Sequence, residues 1–403
     1  MAGNAAFLIK PAFNRLTNAV TFQTDSVNAL LRAEYSDNFG FFQQNFGVYS
    51  YMRMTSALKY KMHYFKGAPL MWQPHESCAW TPTGTLSMGT NEIEPCKVKI
   101  NEQNCYDEFF DSLYEAFLTW SNGQTVDYSA EGVQAVNAML ETIMSNATLS
   151  ARALLTAGQL HNLSTVAYAT DTPSRIEDAF SRTMGSCRGW IELLNDLSAT
   201  YAWTATNYLD ATDIGATGQT FTSSVVDLYD EFFAGAPKQL QQAISEGGIG
   251  GFSDQFYPLF LVSPSIHAKL HLEWLAQKES ALITEPRIRK IPYTVQTSRG
   301  PRTLEVTMID NTIVVPIHEV GIVEQYITGT SHFAYLTLSG VIQLGASFAS
   351  LPVVGSANVG LMMQVSQNAE DYGAFKFLAH ALMATGINDV NYITGDYIYV
   401  LPD

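Results

Sequence analysis

Charge is what this chain has least of. Of 403 residues, 22 are Lys or Arg and 38 are Asp or Glu, 15% in all, where ordinary soluble domains carry about 25%. Lysine and arginine are the scarcer sign, at 11 residues each. Hydrophobic residues make up 47%, so the polar, densely charged composition of disordered chains is excluded. Glycine follows no period and no repeat of about 20 to 50 residues is present, which excludes collagen-like and solenoid architectures. Only four cysteines occur (Cys78, Cys96, Cys105, Cys187), without a CxxC pair. They predict neither a zinc knuckle nor a disulfide framework, and a reducing compartment is the expectation. No GxxxxGK[ST] is found, so a phosphate-cradling loop of that type is absent. The short apolar run after Met1 has its lysine, Lys10, behind it, and does not read as a signal peptide.

What the chain has instead is rings and thioethers: 20 Tyr, 22 Phe, 6 Trp and 13 Met. Protein–protein interfaces enrich these residues and deplete Lys, Glu and Asp. A monomer needs solvated groups to cover its outside. The composition therefore predicts a subunit that packs against copies of itself, rather than a large globule with a Ser/Thr/Asn/Gln-rich surface. Net charge is −16 and pI about 4.8, against a sequence reader of nucleic acid, whose footprint is basic. Residues 1–70 carry seven basic and three acidic residues, whereas residues 101–260 carry five and twenty.

At roughly 150 residues per domain, the length predicts two or three domains. Residues 1–66 read as an N-terminal arm without a core period, and the aromatic run over 39–51 should lie across another element. Prolines and glycines punctuate residues 67–100, which read as a projecting two-stranded β-loop with legs at 85–88 and 93–100. Helices are predicted from Asp107 and over 130–155, 173–184, 190–197, 225–233, 263–278 and 375–384. The helix at 130–155 would reach about 39 Å. Strands are predicted over 291–296, 304–308, 312–317 and 397–400. This order is α+β, not doubly wound. Residues 325–369, 45 positions, lack Asp, Glu, Lys and Arg altogether. Polar Thr337, Ser339, Gln343 and Pro352 interrupt the run, so burial between domains or subunits is preferred to a membrane span.

Candidate chemistry is sparse. His267 and His271 stand at i and i+4, but Ala268 occupies the place where a zinc protease needs Glu. Glu273, His318 and Glu319 could complete a metal site only through folding. The segment Gly185-Ser-Cys-Arg-Gly189 is not a nucleophile elbow. Cys187, near Arg182 and Arg188, could have a lowered pKa, though a structural role is preferred. The acidic pairs Asp230-Glu231 and Glu177-Asp178 read as solvated helix faces, and the glycines at 247–251 as a flexible loop. A basic cluster (Arg287, Arg289, Lys290, Arg299, Arg302) flanks a hairpin over 293–304. It would bind an anion or, preferably, the acidic middle of a neighbouring subunit.

Two stretches carry a resemblance. Thr81-Pro-Thr-Gly-Thr-Leu-Ser-Met-Gly-Thr-Asn-Glu-Ile-Glu-Pro-Cys-Lys-Val-Lys-Ile100, continuing to Asn104-Cys-Tyr-Asp-Glu-Phe, resembles major capsid proteins of tailed bacteriophages infecting Bacteroidetes, the crAss-like group included. The ending from Leu378-Ala-His-Ala-Leu-Met-Ala-Thr-Gly-Ile to Tyr397-Ile-Tyr-Val400 is similar to theirs. The resemblance covers about an eighth of the chain. It implies a Hong Kong 97-type capsid fold: an N-terminal arm (1–66), an extended β-loop (67–100) and a peripheral domain with a long spine helix (101–160, completed by about 325–375). An axial domain (161–324), with room for an inserted subdomain, and a closing helix and strand (376–403) would follow.

The function implied is that of a structural virion protein, assembled in the bacterial host cytoplasm. It would self-assemble through hexamers and pentamers into an icosahedral shell around double-stranded DNA, which it would hold without sequence-specific contacts. The expected partners are the chain itself and portal, scaffold and decoration proteins, with no membrane. Neither enzymatic activity, a catalytic or metal residue, nor a cofactor is implied. The alternatives are an encapsulin-like compartment shell and a metal-dependent hydrolase using His267 and His271.

Overall fold

Strands drawn from distant parts of the chain meet in two sheets that hold most of the ordered framework. A computed structural model describes residues 40–52, 60–66, 87–93, 95–105, 149–160, 184–200, 208–245, 256–279, 286–297, 300–324, 329–347, 361–365 and 374–401. The class is mixed α+β.

The six-stranded sheet has the order β13-β9-β5-β8-β7-β6, where β5 is Pro258–Val262, β6 Ile288–Thr297, β7 Gly300–Ile309, β8 Thr312–Pro316, β9 Thr330–Leu338 and β13 Ile393–Val400. Only β5 and β8 run parallel; the other pairs are antiparallel. Every residue of β5 is buried, and so is all of β9 after Thr330. Continuous apolar strands of this kind need cover on both faces. One face receives helices α3 (Val225–Gly235) and α5 (Pro264–Glu279). Tyr229 and Phe232 of α3 set their rings 5.5 and 6.1 Å from Phe260. The other face receives α2 (Trp190–Thr200). Its Trp190 lies edge-on to Tyr335 at 5.5 Å and reaches Tyr49, 6.4 Å away, in the second sheet.

That second sheet joins β1 (Tyr49–Met52), β10 (Ile342–Ser347), β12 (Ala374–Ile387), β11 (Leu361–Val365) and β4 (Cys96–Cys105). Strand β12 is its axis. β4 pairs along one edge from Ala374 to Met383, while β11 and β10 share the opposite edge end to end. The helix expected over 375–384 is therefore a strand. Its Leu, Ala, Met and Lys are good helix formers, yet ladders on both edges outweigh a propensity worth only tenths of a kcal/mol per residue.

The arm's described part belongs to the body. Helix α1 (Gly40–Phe46) stops at Gly47, whose φ of 58° lets its N–H reach Gln43 O at 3.1 Å. The Gln43 side chain then brackets Tyr49, accepting from its N–H and donating to its carbonyl. Phe46, Val48 and Tyr49 are buried, and β1 runs parallel to β10. The aromatic run thus lies across other elements, as its lack of a core period predicts. The two-stranded excursion has different legs from those expected: β2 (Tyr60–Lys66), inside the expected arm, pairs β3 (Ser87–Ile93). Residues 96–105 leave the hairpin and join β12. Pairing partners so far apart carry no local pattern.

The uncharged stretch is also reassigned. Among its described residues, strands β9 and β10 are buried inside the chain's own core. Among the described residues no helix is long and apolar enough to cross a membrane. Helix 149–157 covers the end of the span expected for a long helix. The rest of that span, the helix from Asp107, nearly all of the one over 173–184, Glu177-Asp178 and the glycines at 247–251 lie outside the described residues.

Candidate assembly surface

Strands β6 and β7 pair over ten positions, from Ile288 with Ile309 to Thr297 with Gly300. Strand β8 pairs with β7 only at Met308 and Ile309. The ribbon beyond those two residues therefore runs past the sheet, with β6 at its edge. Ile291 (42% exposed) and Tyr293 (37%) stand on it, and Pro292, Thr294, Pro301, Thr303 and Glu305 are exposed as well. At its side the rings of Tyr293 and Tyr257 both meet Phe46, at 5.5 and 5.4 Å. Nothing in the sequence pattern assigned Tyr257 or Phe46 to this surface; the segment 40–52 had to fold back for them to meet.

The ribbon's root is held by charge. The Arg287 guanidinium grips both Asp230 oxygens at 2.7 Å, and one nitrogen also donates to Asp310 Oδ2 at 2.7 Å. Hydrogen bonds to Asp230 first, then to Asp310, raise its pKa still further. Arg289 donates to the Asp310 carbonyl. Lys290 Nζ donates to His271 Nδ1 at 3.0 Å, stands 3.9 Å over the Trp274 ring, and lies 3.6 Å from Glu305. Two members of the basic cluster expected to seek acidic residues of a neighbour, Arg287 and Lys290, have thus found them in their own chain. Asp230 is an ion-pair partner rather than part of a merely solvated face. Arg299 lies outside the described residues, as does the side chain of Arg302.

Helix α5 is apolar on both sides. Ile266 and Leu270 are buried, whereas Leu272 is 61% exposed and Leu275 is exposed too. Near the start of α5, Ser265 Oγ donates to His332 Nδ1 at 2.6 Å, and His332 Nε2 donates to Gly218 O at 2.9 Å. Burial lowers the His332 pKa, so this fully buried imidazole is neutral and joins three segments.

The residues of the metal reading come only partly together, with His267 near enough to His318 and His271 to feel their charges. Burial, followed by His318, His271 and Lys290, lowers His267 to about 4, and His271 is met by Lys290. Glu273 accepts from the Val225 N–H at 2.8 Å at the start of α3. Glu319 pairs with Arg152 at 2.6 Å. Among the described residues no group of three or more His, Cys, Asp or Glu could hold a metal ion. Cys187 is disulfide-bonded to Cys96 with a Cα–Cα distance of 5.7 Å, which corrects the expectation of unpaired thiols. A separation of 91 residues left no local signal for this pair.

No family model and no curated protein matches the sequence. Among solved structures, the chain is similar to one in the procapsid of satellite phage P4 with its size determination protein. That match has 10% identity and TM-score 0.46, covering 92% of this chain and 98% of the other. It is similar to a chain of the capsid of Myoviridae phage XM1, with 10% identity, TM-score 0.41 and coverages of 90% and 92%. The holo-SrpI encapsulin complex from Synechococcus elongatus PCC 7942 also matches, at 9% identity and TM-score 0.38, with coverages of 86% and 84%.

Proposed function

We propose that the chain is a shell-building subunit, the major capsid protein of a tailed bacteriophage. It self-assembles through hexamers and pentamers into an icosahedral shell of the Hong Kong 97 type around double-stranded DNA. The observation that carries this reading is the β6–β7 ribbon: an edge hairpin that leaves its sheet and bears an exposed Ile291 beside Tyr293, which packs against Phe46. Protruding apolar edges invite pairing with another chain, and soluble monomers normally blunt them. The exposed leucines of α5 extend the same tendency, as does the chain's small number of charges. The sequence resemblance at 81–109 and 378–400 supplies the family. In this reading residues 1–66 form the arm, whose last strand, β2, crosses over to pair with the extended loop, 101–160 form a peripheral domain completed by about 325–375, and 161–324 the axial domain. The extended loop corresponds to the β2–β3 hairpin, and portal, scaffold and decoration proteins are further partners. The chain works as a building block without catalysis.

Expression of the full chain, followed by sizing and negative-stain microscopy, tests the proposal. Rings or closed shells are expected, and DNA inside particles from infected cells. A 44 kDa species that stays monomeric under all native conditions overturns it. Shells filled with protein cargo overturn the phage assignment.

A further inference from the structure

The disulfide sits where the β2–β3 hairpin joins the body. Strand β3 ends at Ile93 and β4 begins at Cys96, so Cys96 marks the point at which the chain leaves the hairpin and enters the five-stranded sheet. Its partner lies in a firmly held loop. Gly189 N donates to Gly158 O at 2.7 Å, Gln159 N to Met184 O at 2.8 Å, and Thr385 Oγ1 to Arg188 O at 2.9 Å. The Cα–Cα distance of 5.7 Å lies inside the range disulfides adopt without backbone movement. Beside this link the hairpin root has one apolar plug: Ile93 is buried against Gly386, where a Cβ would strike its side chain.

We propose that Cys96–Cys187 is a redox-operated anchor for the β2–β3 hairpin. Closed, it fixes the hairpin root to the loop ahead of α2; open, it leaves Ile93 and the β4–β12 ladder as attachments among the described residues. Cys187 is 2% exposed and cannot meet a reagent, whereas Cys96 is half-buried and is the entry thiol. Its thiolate attacks one sulfur of a small-molecule disulfide, such as oxidised glutathione. The reagent's S–S bond breaks, a mixed disulfide forms at Cys96, and one small thiol leaves with a proton. The Cys187 thiolate then attacks the Cys96 sulfur and expels the second small thiol. Two protein thiols lose two electrons and two protons, and the reagent gains them. The inference concerns a single chain and is independent of whether that chain builds shells.

The test uses the full-length chain, split between oxidised glutathione and excess reductant. Peptide mapping without reduction follows, with hydrogen exchange of peptides over 60–66 and 87–93. The expected result is a linked Cys96–Cys187 peptide in the oxidised sample and exchange in 87–93 at least about threefold slower than in the reduced one. Cys187→Ser is expected to retain glutathione on Cys96, and Cys96→Ser to leave Cys187 unmodified. Both thiols recovered free after oxidation would overturn the anchor. So would a linked peptide whose hairpin exchanges at the same rate in the two states. Because the wild-type chain supplies both arms, the result does not depend on either variant folding.

Discussion

Arg152 meets Glu319 at 2.6 Å across 167 residues of chain, tying the helical segment 149–157 to α6 (Glu319–Glu324). Both side chains are largely shielded, at 19% and 9% exposure. Removing Arg152 leaves the Glu319 carboxylate as an uncompensated, nearly buried charge, which costs about 3 kcal/mol or more. Glu319→Ala and Arg152→Ala should each lower the urea midpoint at neutral pH accordingly. The pair replaced by two methionines should recover much of the loss. Additive losses in the double variant would refute the coupling.

Stability should fall as the solution is acidified below about pH 6.5. His267 (to about 4) and His332 both have folded pKa values below the ordinary 6.5, first because burial disfavours their charged forms. The unfolded chain then binds more protons in this window, so stability rises with pH through it and is lost on the way down. Glu192, Glu273, Glu324 and Asp396 work the opposite way, since burial raises their pKa values. Their contribution is lost as pH rises above the ordinary carboxyl values. Comparing wild type with His267→Gln isolates the first effect. Denaturant midpoints between about pH 7.5 and about pH 4.5 should show a shallower acid-side slope in the variant.

Gly395 faces Tyr335 across the β13–β9 ladder. A Cβ there would drive into the Tyr335 ring and the Ala334 carbonyl, both fixed in the core. Gly395→Ala should cost about 2 kcal/mol or more by overpacking, read from thermal or urea unfolding. A change below about 0.5 kcal/mol, the range of ordinary surface substitutions, would mean that the strand shifts freely.

Breaking the disulfide should destabilise the chain by up to about 4 to 5 kcal/mol, the chain-entropy value for the 91-residue span it closes. Urea unfolding with and without reductant measures this directly. Equal midpoints would mean that the thiols were never joined.

Ile291→Asp tests the ribbon as a contact surface. The side chain is exposed, so folding stability should change by no more than about 0.5 kcal/mol. Assembly should weaken sharply, as read by light scattering against protein concentration. Unchanged assembly with unchanged stability would remove the ribbon from the contact.

The sequence reading succeeded where structure is local. Helices expected over 225–233 and 263–278 stand as α3 and α5, and strands expected over 291–296, 304–308 and 312–317 stand as β6, β7 and β8. Ser224 accepting from the Asp227 N–H and Pro264 opening α5 are sequence-visible signals of this sort. It failed where distant chain decides. The run Leu378-Ala-His-Ala-Leu-Met-Ala384 has helical composition and is a strand only because β4, β10 and β11 flank it. Cys96 and Cys187 had no spacing to reveal them, and Arg287 found Asp230 only through the packing of α3. The uncharged run signalled burial correctly but could not say whose surface would bury it.

Pairing Tyr49 with Ile342 in the parallel β1–β10 ladder has a consequence for biosynthesis. β1 leaves the ribosome almost 300 residues before its partner does, and β4 likewise precedes β12. Until synthesis nears its end, these early strands lack the ladder partners they have among the described residues. Ladders of such long sequence separation close slowly, and unpaired edges on incomplete chains promote aggregation. Nascent chains of this protein therefore need shielding for most of their translation, and a truncation ahead of residue 374 strands β4 without a mate.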